Sequence, residues 1–288
     1  MIFFDYLLQH QRYAAGLGVF FFLFIAFIFS RNRRVINFRL IASSLVMQFL
    51  FAFFILRTSA GEKLFGHIAK GFEKLYEFAD AGSSFVFGNL ANVDGPLGVI
   101  FAVKVVPIII FFGALTSVLF HLGIIQIFVR VISSVLTPIF GTSGAETLCA
   151  AANSMLGQTE APLLIKKYLG SMTESEILLV MVSGMATLSG SILAVYGSFG
   201  VPMLHLLSAS AMSIPSSILM SKILLPEEEE AKTLHGTLSV KSDSNNVLEA
   251  IFSGTSDGMK LAVNVIAMLI AFISLIAMLN YLMSFFSA

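Results

Sequence analysis

Tryptophan is absent from this sequence, cysteine occurs once (Cys149), and only 12% of the 288 residues are charged. A lone cysteine excludes an internal disulfide and leaves no thiol partner for a metal site. Without tryptophan, any aromatic belt at a membrane surface must come from phenylalanine and the six tyrosines. The scarcity of charge excludes an ordinary soluble surface, which needs roughly a quarter of its residues charged. Seventeen Lys and Arg offset seventeen Asp and Glu, so no basic excess invites nucleic acid. No Ser/His/Asp arrangement, metal cluster or phosphate loop stands out, so the residues do not point to an enzyme.

What the chain has is apolar length. Hydrophobic residues make up 57% of it, and the mean hydropathy is +0.91. They gather into runs at 13–30, 40–56, 97–119, 176–198, 202–225 and 259–285. Each could cross a bilayer core of ~30 Å as a helix, which predicts an all-α polytopic membrane protein with about six spans. The first run is no signal peptide, because its arginines follow it and no small-residue cleavage site appears. Arg31, Arg33, Arg34 and Arg39 fill the loop behind it without an anion. The positive-inside rule puts that loop in the cytoplasm and the N-terminus outside. Counting spans puts the polar linker 226–246 inside as well, and its four glutamates at 227–230 read as a solvated tether.

Two stretches are patterned differently. Over 61–79, Leu64, Phe65, Ile68, Phe72, Leu75 and Tyr76 share one helical face and charged residues the other, as in a helix along the membrane interface. Over 121–140, Gln126, Arg130, Ser133 and Thr137 form a polar stripe on an apolar helix, which suits an interfacial or scaffold helix bordering the protein core. A distant echo links two spans. Phe101-Ala-Val-Lys-Val-Val returns as Leu261-Ala-Val-Asn-Val-Ile, and Ile110, Phe112, Leu115 and Leu119 match Ile270, Phe272, Leu275 and Leu279. Secondary transporters are commonly built from such repeats, often inverted in the membrane.

The chemistry concentrates between Gly144 and Ser198. An apolar helix over 144–155 reaches Gly157 and a polar tip, and a second helix opens at Thr159-Glu-Ala-Pro162 and ends near Lys166, Lys167 and Gly170. Thr159 suits a cap, Glu160 the positive end of the dipole, and Pro162 a first turn. Arms of about ten residues reach ~15 Å, half a bilayer, so the pair reads as a re-entrant hairpin. Broken backbone at that depth is tolerated where it is buried in protein or lines a cavity. The bland alternative is an ordinary capped helix at a membrane surface. The next span is interrupted at Ala186-Thr-Leu-Ser-Gly-Ser191, which either admits a close helix neighbour or frees carbonyl oxygens. Asn153, the Leu156 carbonyl, the Thr187 hydroxyl and the Leu188 carbonyl would offer a sodium ion the oxygen ligands it prefers.

At these residues the sequence resembles the concentrative nucleoside transporters. The Gly157-Gln-Thr-Glu-Ala-Pro162 core, with Asn153 before it and Ala186-Thr-Leu-Ser-Gly-Ser-Ile192 after it, carries the likeness. The resemblance implies an elevator-type carrier in the inner membrane, usually a homotrimer, that moves nucleosides with a cation gradient and needs no other cofactor. It implies that Gln158, Thr159 and Glu160 contact the nucleobase, that Gly157 lets backbone approach, and that Ile192 packs on the base. It places sodium at Asn153, Leu156, Thr187 and Leu188, with Thr187 where serine is familiar. Three segments follow: 1–143 with entry spans, interfacial helix and scaffold helices; 144–198 with the half-site; and 199–288 with two further spans. The family continues with a second hairpin and two spans that hold the ribose, and nothing in 259–288 matches them. The chain is therefore expected to be a truncated carrier, inactive alone; the other reading is a non-transporting fragment or an assembly partner of a full-length carrier.

Overall fold

A computed structural model of the chain describes residues 12–92, 98, 100–158, 161–166, 168–229 and 244–285. Among these, every regular element is helical. In order they are α1 (Arg12–Ile28), α2 (Phe38–Arg57), α3 (Ser59–Phe87), α4 (Phe101–His121), α5 (Ile124–Phe140), α6 (Gly144–Asn153), α7 (Ala161–Leu164), α8 (Glu174–Ala186), α9 (Gly190–Ser198), α10 (Met203–Leu224) and α11 (Val247–Ser284). By length and composition α2, α4, the α8–α9 stretch, α10 and α11 can each cross a bilayer. The expected first span is helical as α1, at 17 residues the shortest of the candidates. Leu97, Val99 and Lys167 lie outside the described residues, as do Thr159 and Glu160.

The helices fall into two compact units. The first takes its described residues from Met1–Thr58, Val129–Leu188 and Ser208–Val240. Its core joins Leu40 of α2, Leu136 and Phe140 of α5, Ala150 of α6, Leu179 of α8, and Ile214 and Ile218 of α10. Two of its helices start with the same device. Ser143 accepts from the Glu146 amide while Glu146 returns to the Ser143 amide, and Thr173 and Glu176 do likewise at the head of α8. Each box satisfies two donors that a helix N-terminus otherwise leaves open.

The second unit takes its described residues from Ser59–Phe128, Ser189–Leu207 and Lys241–Ala288. Its core is Ala79 of α3, Val105, Ile108, Ile109 and Phe112 of α4, Ala194 and Val195 of α9, and Ala262 of α11. The buried residues of α11 are Ala250, Gly254, Gly258 and Ala262, one every fourth position, a stripe that admits close backbone approach. A Cβ at Gly258 would sit 2.9 Å from the Ile110 Cα, and one at Gly113 would sit 2.7 Å from the Gly254 carbonyl oxygen. Rising numbers in α11 thus meet falling numbers in α4: the two echo-bearing helices run antiparallel. Lys104, inside α4, is held by both oxygens of Asp80 at 2.8 and 2.9 Å.

Several expected boundaries move. The amphipathic helix runs eight residues further than 79, to Phe87, and packs through Phe72, Leu75, Tyr76 and Ala79, leaving Leu64 and Ile68 exposed. Gly123, at φ +80°, separates α5 from α4, so the scaffold helix begins after it. The last span starts at Val247 rather than 259, because the small-residue stripe lets the helix pack well before its apolar run begins. The second hairpin arm is not one ten-residue helix. After α7 the Ile165 amide bonds back to the Pro162 carbonyl at 3.2 Å, and the Ile165 carbonyl accepts from both Tyr168 and Leu169. That tightening ends the α-helical ladder, and the chain proceeds through a short 3-10 turn at Leu169–Ser171.

Candidate functional site

The site lies where α6 ends and the α8–α9 stretch breaks, within the first unit. Every residue of α6 from Ala145 onward is buried, so the helix enters protein rather than lipid or water. At its end Asn153 is fully buried. Oriented to satisfy both ends, its amide donates to the Gly157 carbonyl at 3.0 Å and accepts from the Ser183 hydroxyl at 2.8 Å and the Gly184 amide at 3.3 Å. One side chain therefore ties the turn after α6 to the last turn of α8. Gly157 makes that turn at φ +104°, a conformation open to glycine and costly for other residues. A Cβ at Gly184 would lie 2.9 Å from the Gln158 Cβ, so the bare glycine lets the tip seat against α8. Ser210 of α10 donates to the Ser154 carbonyl at 2.8 Å and holds the tip from another side.

The span that follows is broken where the sequence predicts. α8 ends at Ala186, Thr187 is extended at φ −113° and ψ 154°, and α9 begins at Gly190. A helix that stops there leaves last-turn carbonyls without amide partners from the next turn. The Thr187 hydroxyl donates to the Ser183 carbonyl at 2.8 Å, which leaves its lone pairs free to face outward. Ser183 thus touches both candidate ion ligands, Asn153 through its hydroxyl and Thr187 through its carbonyl. With the Thr187 hydroxyl and the released carbonyls, the Asn153 amide oxygen, once it gives up one of the two hydrogen bonds it accepts, completes a donor set that suits a hard monovalent cation. Leu156 is buried beside the turn and Leu188 half-buried in the break.

Of the base-contacting candidates, Gly157 and Gln158 are brought to this junction, and Gln158 is exposed at the tip. Thr159 and Glu160 fall outside the described residues, and Ile192 belongs to α9 in the second unit. Sequence reasoning missed Ser183 and Gly184. A signal was available: Asn153 stands ten residues after the cap Ser143, and Ser183 ten after the cap Thr173. Identical caps at identical spacing bring the two polar residues level.

The described residues thus set a buried, oxygen-lined helix break among helices long and apolar enough to cross a membrane. Residues 17–90 match the Na+ dependent nucleoside transporter N-terminus, 102–203 the nucleoside recognition (gate) family and 205–288 the Na+ dependent nucleoside transporter C-terminus. The chain belongs to the Na+ dependent nucleoside transporter family, whose members are carriers and not enzymes. It is 42% identical over 93% of its length to an uncharacterized transporter of Haemophilus influenzae, covering 64% of that protein. It is 41% identical over 92% of its length to the nucleoside permease NupC of Helicobacter pylori, covering 63% of it. The solved structure of CNTnw in an inward-facing substrate-bound state fits with a TM-score of 0.84 at 37% identity, over 92% of this chain and 63% of that one. The chain thus spans just under two thirds of the length of these relatives.

Proposed function

We propose that these residues form the ion site and the base-binding side of a sodium-coupled nucleoside carrier in the inner membrane. The observation that carries the reading is the buried Asn153 amide joining Gly157 of the tip to Ser183 of the broken helix. A ligand seated on Gly157 and Gln158 is one covalent turn from the oxygens that would hold the ion, which gives coupling a short physical path. Asn153, Thr187 and the carbonyls of Leu156 and Leu188 supply sodium ligands in this reading. Gln158, Thr159 and Glu160 present hydrogen-bonding groups to the base, and Ile192 packs on its face. The family resemblance supports elevator movement, a homotrimer, the division at 144–198 and an N-terminus outside. By the same resemblance the ribose partners lie in the third of the relatives that the match leaves uncovered, so this stretch by itself is expected to transport nothing.

The test is uridine uptake into liposomes by a chimera in which these 288 residues are completed with the uncovered part of Helicobacter pylori NupC. Uptake should saturate, require sodium, and stop when choline replaces it. Uptake driven equally well in choline by a proton gradient would remove sodium from the reading.

A further inference from the structure

At the opposite end of the two site helices, Lys222 of α10 is buried, with 7% of its side chain exposed. Its Nζ lies 2.7 Å from Glu146 Oε2, and Glu146 is itself only 2% exposed. The same ammonium donates to the Ser175 hydroxyl at 3.0 Å and to Glu227 Oε2 at 3.1 Å. Glu227 also accepts from the Thr173 hydroxyl at 3.0 Å, and Ser175 passes a hydrogen bond on to the Leu225 carbonyl at 2.7 Å. Glu146 belongs to the capping box of α6, while Thr173 is the cap and Ser175 a first-turn residue of α8. One cation therefore grips the first turns of both helices whose far ends meet at Asn153 and Ser183.

The geometry repeats along both helices. Ser143, Glu146 and Asn153 stand thirty positions before Thr173, Glu176 and Ser183. Contact at Lys222 below and at the Asn153–Ser183 bond above means that α6 and α8 run side by side, in the same direction and in register. From Glu146 to Asn153 is seven residues, or ~10 Å of helix rise. A helix is stiff along its axis, so a slip at the lower end arrives undiminished at the upper one. An axial slip of about 2 Å stretches a 2.8 Å hydrogen bond that crosses between the helices to ~3.4 Å, beyond the usual range.

We propose that Lys222 is a positioning residue that fixes the axial register of α6 against α8, and through it the cation site. The second half of that statement rests on the proposed sodium site; the first does not. A buried, paired ammonium is costly to keep merely for stability, since an apolar pair of similar volume serves as well or better. What an ion pair adds is a defined partner and distance.

Two readouts separate these halves. In the 288-residue chain carrying Cys149→Ala, Asn153→Cys and Ser183→Cys, oxidation should join the two new cysteines, as read by mass spectrometry of the linked peptides. Lys222→Met alone would strand Glu146, so the variant to compare is Lys222→Met with Glu146→Gln, checked for equal membrane insertion. Its cross-linking should fall by roughly fivefold or more, because a disulfide tolerates little change in Cα separation. Ser175→Ala, which removes the direct tie from Lys222 to α8 together with the bond to the Leu225 carbonyl and strands no charge, should lower it in the same direction by a smaller amount, and Lys222→Arg should keep it near the parent level. In the completed chimera with Asn153 and Ser183 intact, the double variant should raise the sodium concentration for half-maximal uridine uptake by about tenfold at unchanged maximal rate, as loss of one good ligand contact would. Undiminished cross-linking in inserted Ser175→Ala and double variants overturns the positioning role. Diminished cross-linking with an unaltered sodium requirement overturns the link to the cation. Sodium-independent uptake by the parent chimera removes the proposed function itself, while the cross-links still decide what Lys222 does.

Discussion

Asn153 and Gly184 show how much of the site turns on single residues. Asn153 is the last residue of α6, fully buried, and bonded both to Gly157 of the turn and to Ser183 and Gly184 of α8. Gly184 has a different duty, which is to have no side chain. Gly184→Ala places a Cβ 2.9 Å from Gln158 Cβ and must push the tip away. We expect it to raise the uridine concentration for half-maximal uptake by roughly tenfold in the completed chimera, at the overpacking cost of ~1–3 kcal/mol. Gly170→Ala is the control, since nothing lies within 4 Å of its added Cβ. An equal effect of both would show that tip seating is not the cause. The motif around Gly157 was legible because it is contiguous, and so was Asn153 just before it. Ser183 and Gly184 were not, because their meaning comes from contact with residues thirty positions away and serine and glycine are common in apolar helices.

At the scale of elements, α11 and α4 pack through glycine. Gly258→Leu would thrust a side chain at the Ile110 backbone, only 2.9 Å from the first added carbon. The cost should be at least the ~1–3 kcal/mol typical of overpacking, because the obstacle is backbone and cannot change rotamer. A fall in the apparent Tm of the detergent-solubilised protein, against no change in Gly66→Ala, is the expected result. An unaltered Tm would mean that the two helices do not depend on this approach. The sequence showed α4 and α11 as separate apolar runs and as each other's echo, yet not as partners. Hydropathy reports that a helix is apolar all round; it does not report which stripe meets protein and which meets lipid. The same blindness applies to Glu227 and Glu228 at the start of the linker. Polar composition made them look like a tether, whereas Glu227 accepts from Lys222 and Thr173, and Glu228 accepts from Asn32 at 2.9 Å. A buried ammonium creates a demand for counter-charge that composition cannot display.

For the whole molecule, the proposed orientation rests on the arginine-rich loop and the positive-inside rule. Arg31 pairs with Glu174, and Asn32 reaches Glu228, so this loop and the start of the linker lie at one end of the first unit. In a Cys149→Ala background, Arg34→Cys and Glu229→Cys should both resist a membrane-impermeant maleimide in intact cells and react after lysis. Labelling of either before lysis would contradict the assignment of that end to the cytoplasm. The all-helical class and the order of the spans were readable from apolar run length, because a bilayer leaves a helix few alternatives. The division into two units was not, since each gathers segments from three separate parts of the chain.

The central claim is that the buried oxygens at the break hold the ion that drives uptake, and the sodium activation curve tests it most directly. Uridine uptake by the completed chimera would be measured over a range of sodium concentrations for the parent and for Asn153→Ala. Removing one ligand to a cation withholds about 1.5–3 kcal/mol, so half-saturation should move up by roughly ten- to a hundredfold. The rate at saturating sodium should be largely kept if Asn153 acts on the ion and not on the base. Superimposable activation curves for the parent and an equally inserted Asn153→Ala would contradict the account.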